Sequence, residues 1–478
     1  MVCRMKCPTI CGFRMRKSDS MIGLLEYIYL SKHFHEVKHV TLNPGSEGVV
    51  RVHMIPPKLN IFRNTPSVLL LNGQDILPIN ISWAILLSAF IDELQPYDQK
   101  ELTDGDWDGI IQRTINKTKR VYPGVAPETF KSDLWRIINA LGDIAAGREP
   151  EETIGTISLG DYAKFMTAPH RMDLMISSMY KNGCWNCNNQ CLHCYAAGQD
   201  LSANEELSTQ NWKKIIDSCR KAGIPQLTFT GGEPTLREDL VELVEHAKWF
   251  ITRLNTNGIC LSTELCALLY DASLDSVQVT LYSHNPQKHN ALVGAQSHAL
   301  TVQGIKNALD AKLNVSINTP LCTVNRDYRE TLAFVRDLGV RYVTCSGLIP
   351  AGGAQTEQSV STQLGECELY EVLQEAQDYC RENGMDLSFT SPGWVSEARL
   401  QEIGLIMIPS CGACLSNMAI GPDGTVLPCQ SWLSGPGLGN MLTTPWKEIW
   451  NATACKEIRA ISAKMEKQCQ LGARRQVC

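Results

Sequence analysis

The stretch Cys187-Asn188-Asn189-Gln190-Cys191-Leu192-His193-Cys194-Tyr195 sets three thiols at C-x3-C-x2-C spacing on one short loop, with an aromatic residue directly after the last. Three cysteines this close can hold three corners of an iron–sulfur cube and leave the fourth iron without a protein ligand. Such an iron can bind and activate a small molecule, which a fully ligated electron-transfer cluster cannot do. The same residues would also suit half of a zinc site, or three buried thiols. Structural zinc normally takes four ligands, usually as two pairs, whereas the stretch from Cys187 to Tyr195 supplies three thiols.

A loop of this kind needs a scaffold to hold it. From about Asp173 to Pro392 short apolar runs alternate with amphipathic stretches, the pattern of a parallel α/β sheet. Strands are expected at 174–179, 226–230, 251–255, 276–282, 314–320 and 341–346. The helix after the cysteine loop starts near Ser208, carries Trp212, Ile215, Ile216 and Cys219 at helical spacing, and ends at Gly223. Six βα units are consistent with a partial (β/α)6 TIM-like barrel, in which chemistry sits at the carboxyl ends of the strands.

Each unusual feature falls at such an end. The cysteine loop follows the first strand. The second runs into Gly231-Gly232-Glu233-Pro234, where the glycines let a ligand approach the backbone and Glu233 could hold an ammonium group. The others end in Asn255-Thr256-Asn257-Gly258, Thr280-Leu281-Tyr282, Asn318-Thr319-Pro320 and Gly347-Leu348-Ile349-Pro350.

Together these residues resemble the radical SAM superfamily over about 220 residues. The resemblance implies a [4Fe–4S] cluster on Cys187, Cys191 and Cys194, its open iron chelated by S-adenosylmethionine. By position, Gly231, Gly232 and Glu233 would hold the methionine ammonium. Tyr195 would border the adenine, Thr280 and Asn318 would meet the ribose, and Leu348 and Ile349 would line the adenine. Reductive cleavage would then give a 5′-deoxyadenosyl radical, with an electron donor such as flavodoxin or ferredoxin implied. Thr280 stands where serine is common, which keeps the hydroxyl. Cys184 forms an extra C-x2-C with Cys187 and is read as a neighbouring thiol, not a ligand. No catalytic acid or base is assigned; Cys345, Cys322, Tyr282 and His284 are guesses at the barrel mouth.

After Pro392 the alternation stops and cysteines return. Cys411-Gly412-Ala413-Cys414 precedes a Pro422-Asp423-Gly424 turn, which would bring Cys429 back toward Cys411. This region resembles the SPASM or Twitch extension, typical of peptide-modifying radical SAM enzymes. Cys411 and Cys429 match its C-x9–15-G-x4-C opening, and Cys414 fits as a third ligand. Cys469 and Cys478 fit the first and third positions of the later cysteine run, but Gly472 stands at the second. One auxiliary [4Fe–4S] cluster is expected, or two if the chain continues past Cys478. A zinc ribbon on Cys411, Cys414, Cys429 and one later thiol is the alternative.

The first 150 residues read differently. Cys3, Cys7 and Cys11 lie in an N-terminal segment, 1–44, and are taken as incidental thiols. Residues 45–150 show strands at 49–54 and 67–71, an Asn72-Gly73 turn into a returning strand at 75–78, and helices at 82–94, 106–120 and 126–146. Strands followed by three helices suggest a winged helix-turn-helix. DNA binding is the usual guess for that shape, but Glu128, Asp133 and Asp143 make the third helix a poor phosphate reader. Leu69-Leu70-Leu71-Asn72-Gly73 and Tyr122-Pro123-Gly124-Val125 into Phe130-Lys131-Ser132-Asp133-Leu134 resemble the peptide-chaperone domain of pyrroloquinoline quinone biosynthesis, the RiPP recognition element. That resemblance implies a precursor peptide bound by its leader. The polar stretch 147–155 reads as a linker.

The domains expected are therefore 1–44, 45–150, a radical SAM core at 165–392, and a cysteine-rich iron–sulfur extension at 393–478. A hydrophobic share of 44%, a charged share of 20% and a net charge of −6 over 478 residues suit a globular protein and argue against a general nucleic-acid binder. The longest apolar run, roughly Ile81 to Ile91, is shorter than the roughly 20 residues that cross a bilayer. The basic N-terminus is not followed by a cleavage site, so a cytoplasmic location is expected. Twenty cysteines there read as metal ligands or redox groups. The function expected is a radical SAM peptide maturase forming a thioether or carbon–carbon crosslink. The alternatives are an anaerobic sulfatase-maturase-like enzyme, a small-molecule radical SAM enzyme or, more remotely, a metal-dependent winged-helix regulator on DNA.

Overall fold

Local sequence signals set where the elements begin and end. A computed structural model describes residues 20–42, 50–57, 67–71, 75–97, 102–145, 159–405, 408–464 and 468–471. Cys3, Cys7, Cys11, the Asn72-Gly73 turn, the 147–155 stretch and Cys478 lie outside these residues. The chain divides into two compact units, Met1–Met166 and Thr167–Cys478.

In the first unit, helix α1 (Ser20–His33) precedes strands β1 (Lys38–Leu42), β2 (Val50–Ile55), β3 (Ser67–Leu71) and β4 (Asp75–Ile79), which form an antiparallel sheet in that order. Three helices follow: α2 (Ile81–Leu94), α3 (Asp104–Lys119) and α4 (Pro127–Ala145). Their starts are written in the sequence. The Asn80 side chain accepts the Trp83 N–H at 2.8 Å, Thr103 and Asp106 form a reciprocal capping box, and Pro127 opens α4 where its missing N–H costs nothing. Helix α2 is buried around almost its whole circumference, from Trp83 to Leu94. It packs among Leu69 and Leu71 of β3, Ile110 and Ile115 of α3, and Leu134 and Ile137 of α4. Each such side chain contributes about 1.5–3 kcal/mol by leaving water. The sequence reading missed α1 and β1, because Lys38-His39-Val40-Thr41-Leu42 carries too few apolar residues to stand out from a loop.

The second unit is built on one nine-stranded sheet. Its strands are β5 (Arg171–Ser177), β8 (Gln226–Gly231), β9 (Ile251–Thr256), β10 (Ser276–Thr280), β11 (Asn314–Pro320), β12 (Tyr342–Ser346), β13 (Asp386–Phe389), β14 (Asn417–Ile420) and β15 (Val426–Leu427), while β6 (Tyr180–Lys181) and β7 (Cys184–Trp185) form a separate hairpin. The order is β13-β12-β11-β10-β9-β8-β5-β14-β15. Strands β5 and β8 to β12 are parallel neighbours in chain order, as six sequential βα units require. Three of the nine, β13, β14 and β15, were not among the six expected. β13 is a parallel edge strand with a single buried residue, Phe389, too polar to announce itself. β14 comes from the cysteine-rich extension and pairs parallel with β5, so the extension continues the core sheet. The helix Thr209–Ala222 buries Trp212, Ile215, Ile216 and Cys219 and ends on Gly223 at φ 80°, a left-handed cap that favours glycine. Among the described residues no helix is long and apolar enough to cross a membrane.

Candidate active site

Alternation along the parallel strands faces every second residue inward. Thr228 and Thr230 of β8, Arg253 and Asn255 of β9, Gln278 and Thr280 of β10, Asn318 of β11, and Thr344 and Ser346 of β12 all line one cavity of about 460 Å³. This polar lining was not singled out from the sequence except at the strand ends. Its signal was there, as polar residues spaced by two inside otherwise apolar strands.

The cysteine loop is pinned from three sides. Gln190 N–H and Leu192 N–H donate to the carbonyls of Val293 and Leu292 at 2.8 and 2.9 Å, Gly353 N–H donates to Cys194 O at 2.8 Å, and Ser359 Oγ donates to Leu192 O at 2.9 Å. A side chain at Gly352 would sit 2.1 Å from Tyr195 O, so the loop needs glycine there. Asn182 and Gly183 turn the β6–β7 hairpin with φ 53° and 75°, an Asn-Gly turn of the hairpin type. That hairpin aims the Trp185 indole at Asn189 O, 2.8 Å away. Cys184 is exposed on it and does not line the cavity.

Cys187, Cys191 and Cys194 all line the cavity. Burial pushes the Cys187 thiol up to about 12 and the other two upward as well, and Cys187 and Cys194 reinforce the rise at Cys191. Thiols held protonated in this way become ligands where metal charge replaces the proton. Among the described residues no three His, Cys, Asp or Glu side chains converge as ligands of a single ion. Three thiols that line one cavity without converging on a single ion suit a cube, whose cysteine ligands sit on separate irons.

Glu233 is 1% exposed. Its Oε1 accepts Thr256 Oγ1 at 2.7 Å, Thr235 N–H at 3.0 Å and Thr235 Oγ1 at 2.5 Å; its Oε2 accepts Asn257 N–H at 2.8 Å. Burial raises its pKa while these donors oppose the rise. Oε2, with one partner, has a lone pair to offer a cation. The glycines before it serve the scaffold first. Gly231 has φ 144°, and a Cβ there would lie 2.2 Å from Ser177 O on β5.

Thr280 and Asn318 are register partners on adjacent strands, and Asn318 Oδ1 accepts Thr344 Oγ1 at 3.0 Å. Leu348 and Ile349 follow β12 onto the cavity wall, and Leu348 packs with Tyr282. Tyr195 lines the cavity too and packs with Met175, Ala419 and Leu427. Of the four barrel-mouth guesses only Tyr282 lines the cavity. Cys322 and Cys345 are buried, and His284 N–H donates to Thr331.

The extension brings a second set of thiols to the same space. The turn after Gly421, whose N–H donates to Thr425 O at 2.8 Å, folds the chain back so that Cys411, Cys429 and Cys469 all line the cavity. Cys414 does not. It is fully buried at φ 55°, and its thiol hydrogen-bonds to Cys455. That bond, and the Arg459 guanidinium 3.3 Å from Cys455 Sγ, draw Cys455 down to about 7 and leave Cys414 raised. Sequence reasoning gave Cys455 no role.

A sequence model of the radical SAM superfamily matches residues 186–335, and one of an iron–sulfur cluster-binding domain, SPASM, matches residues 411–472. The chain is 33% identical over 162 residues to Fe-coproporphyrin III synthase of Methanosarcina barkeri, covering 32% of this chain and 39% of that one. It is 28% identical over 286 residues to AdoMet-dependent heme synthase of Oleidesulfovibrio alaskensis, covering 55% and 72%. A probable GTP 3′,8-cyclase of Thermococcus kodakarensis is 34% identical over 137 residues, 27% of this chain and 44% of that one. The chain thus spans less than half the length of the first and third of these curated relatives. Among solved structures it is similar in fold to Streptococcus suis SuiB bound to the precursor peptide SuiA, with TM-score 0.58, 13% identity and coverage of 85% of this chain and 93% of that one. The structure of anSMEcpe with bound AdoMet aligns with TM-score 0.50 and 18% identity over 62% and 84%.

Proposed function

Because this chain carries a radical SAM domain and a SPASM domain, and is a radical SAM enzyme with a [4Fe–4S] cluster, S-adenosylmethionine and auxiliary iron–sulfur, we propose that it matures a ribosomally made precursor peptide. The observation that carries this reading is the single cavity lined by both sets of thiols, Cys187, Cys191 and Cys194 together with Cys411, Cys429 and Cys469. A substrate in that space meets both. When bound, the cluster and S-adenosylmethionine supply a one-electron cleavage that delivers a carbon radical able to take a hydrogen atom.

The chain's own residues bind, orient and exclude water. Cys187, Cys191 and Cys194 would hold the cluster, and Glu233 Oε2 would take the ammonium of S-adenosylmethionine. Thr280 and Asn318 offer polar groups to the ribose; Tyr195, Leu348 and Ile349 offer apolar wall to the adenine. Cys411, Cys429 and Cys469 are our ligands for an auxiliary cluster that takes an electron or touches substrate. In the first unit the sheet has two edges, β1 and β4, and an extended leader can add to such an edge. The fold shared with a protein bound to its precursor peptide supports this use. A thioether or carbon–carbon crosslink is the product we expect. The second reading, a small-molecule radical SAM enzyme, is favoured by the similarity to the heme synthase.

The test is anaerobic reconstitution followed by iron counting and assay for 5′-deoxyadenosine. No deoxyadenosine from protein with about four irons bound, or no loss in Cys191→Ala, overturns the radical reading. Incubation with the peptide encoded beside the gene, read by mass, separates the two substrates. No mass change with any such peptide favours the small molecule.

A further inference from the structure

The lower part of the barrel holds a charge that the proposed cofactor contacts leave unused. Arg253, on β9, is the register partner of Thr228 on β8 and Ser276 on β10, and Thr228 is in turn the partner of Asp173 on β5. Asp173, Thr228, Arg253 and Ser276 therefore occupy one layer. Arg253 lines the cavity, as does Arg171. Its Nε donates to Ser276 Oγ at 3.4 Å. Among the described residues it meets no carboxylate at ion-pair distance. The carboxylate nearest in the layer, Asp173, is taken by Arg171, whose Nε lies 2.9 Å from Oδ1 and whose Nη2 donates to Oδ2 at 3.2 Å.

Two guanidiniums and one carboxylate leave a single positive charge facing the cavity. Burial, and then the neighbouring Arg171, lower the pKa of Arg253 while Asp173 opposes the fall, and a guanidinium keeps its proton in proteins. A charge removed from water is costly unless something pairs with it. The carboxylate that does line this cavity, Glu233, already accepts from Thr235, Thr256 and Asn257. Ser276 precedes Thr280 by four residues on β10, about 13 Å at roughly 3.3 Å per residue. A group held at Arg253 thus lies deeper in the barrel than the proposed ribose contacts.

We propose that Arg253, with Arg171 beside it, is the binding site for a carboxylate of the substrate, either an acidic side chain or a chain-terminal carboxylate. The inference rests on the reading of the barrel as the substrate chamber and adds the substrate's charge to it. A guanidinium fork matches a carboxylate in two parallel hydrogen bonds. The one net positive charge matches one negative charge. A phosphate dianion would leave excess negative charge beside Asp173.

The probes are small amides titrated calorimetrically into the anaerobically reconstituted full chain. They are N-acetyl-glutamate α-amide, N-acetyl-glutamine α-amide, N-acetyl-alanine, N-acetyl-alanine amide and N-acetyl-phosphoserine α-amide. The wild type is expected to bind one carboxylate probe about tenfold more tightly than its neutral amide. Glutamate against glutamine reports a side chain, and alanine against its amide a terminus. The preference is lost in Arg253→Gln and kept in part in Arg253→Lys. Equal binding of acids and amides by wild type overturns the proposal, as does a preference that survives in a folded Arg253→Gln protein, or tighter binding of phosphoserine. Should Arg253→Gln fail to fold, the wild-type comparison and Arg253→Lys decide. Deoxyadenosine formation by the same wild-type preparation is scored separately, so loss of the radical reading and loss of the carboxylate site cannot be confused.

Discussion

Asn257 Nδ2 donates to Asn188 Oδ1 at 2.5 Å, and the backbone N–H of the same Asn257 donates to Glu233 Oε2 at 2.8 Å. The residue after β9 therefore ties the cysteine loop to the Gly-Gly-Glu turn, two segments more than forty positions apart. Asn257→Ala removes the tie to the loop and leaves the backbone bond to Glu233. We expect it to keep its iron and to form deoxyadenosine about tenfold more slowly, the value of roughly one well-placed hydrogen bond. A wild-type rate in Asn257→Ala would show that the tie does not position the loop.

The two glycines of the turn are not equivalent. A Cβ on Gly231 would lie 2.2 Å from Ser177 O and 2.7 Å from Ser177 N, on backbone at φ 144° that disfavours any side chain. A Cβ on Gly232 would meet Ser178 O at 2.8 Å. The second contact, with Ser178 just beyond β5, is more readily relieved than the first, which combines overlap with a left-handed conformation. Gly231→Ala is expected to destabilise by roughly 3 kcal/mol or more, and Gly232→Ala by clearly less. Urea unfolding of the two variants side by side reads the difference, and equal midpoints would contradict it.

These glycines also show what the sequence carried and what it hid. Read as residues that admit a ligand, they line the cavity, and the close approach of Ser177 and Ser178 requires them as well. The strands with apolar runs were legible, and so were the helices with capping signals such as Asn80 and Thr103, since both signals are local. β13 and β1 were not, because edge strands bury few residues. The cysteine loop was legible because its spacing alone fixes what three thiols can do. The separation of Cys414 from Cys411 was not, since they lie three residues apart and only the φ of 55° at Cys414 turns one thiol away from the cavity. Arg253 was silent for a similar reason: a charge inside a strand gains meaning only when neighbouring strands bring it to a cavity wall.

Buried histidines give the second unit an acid limit. His289 is fully buried, accepts the Tyr282 N–H on Nδ1 at 3.3 Å, and is held down to about 4 by burial and then by His298. His170 is likewise held to about 4 by burial. Between roughly pH 6.5 and 4 the unfolded chain takes up these protons and the folded chain does not, so acidification favours unfolding. Each histidine removes at most about 1.4 kcal/mol per pH unit across that window. Urea midpoints of the apoprotein measured near pH 7 and near pH 5 should fall with acid, and His289→Gln should reduce the fall. A midpoint independent of pH in the wild type would refute the assignment.

The separation of the thiols makes the iron content of single variants diagnostic. Cys411, Cys429 and Cys469 line the cavity, whereas Cys414 hydrogen-bonds to Cys455 beneath Arg459, whose guanidinium also stacks 3.9 Å from the Trp450 ring centroid. If the first three are the auxiliary ligands, Cys429→Ala loses about four irons per chain together with the absorbance of that cluster. Cys414→Ala keeps them, because a thiol facing Cys455 contributes no donor to the cavity. Its cost appears in stability instead, because buried Cys455 loses its thiol partner and keeps only the half-buried Arg459 guanidinium. Iron lost equally from both variants would return Cys414 to the ligand set, and would require the turn at Cys414 to rearrange when iron binds.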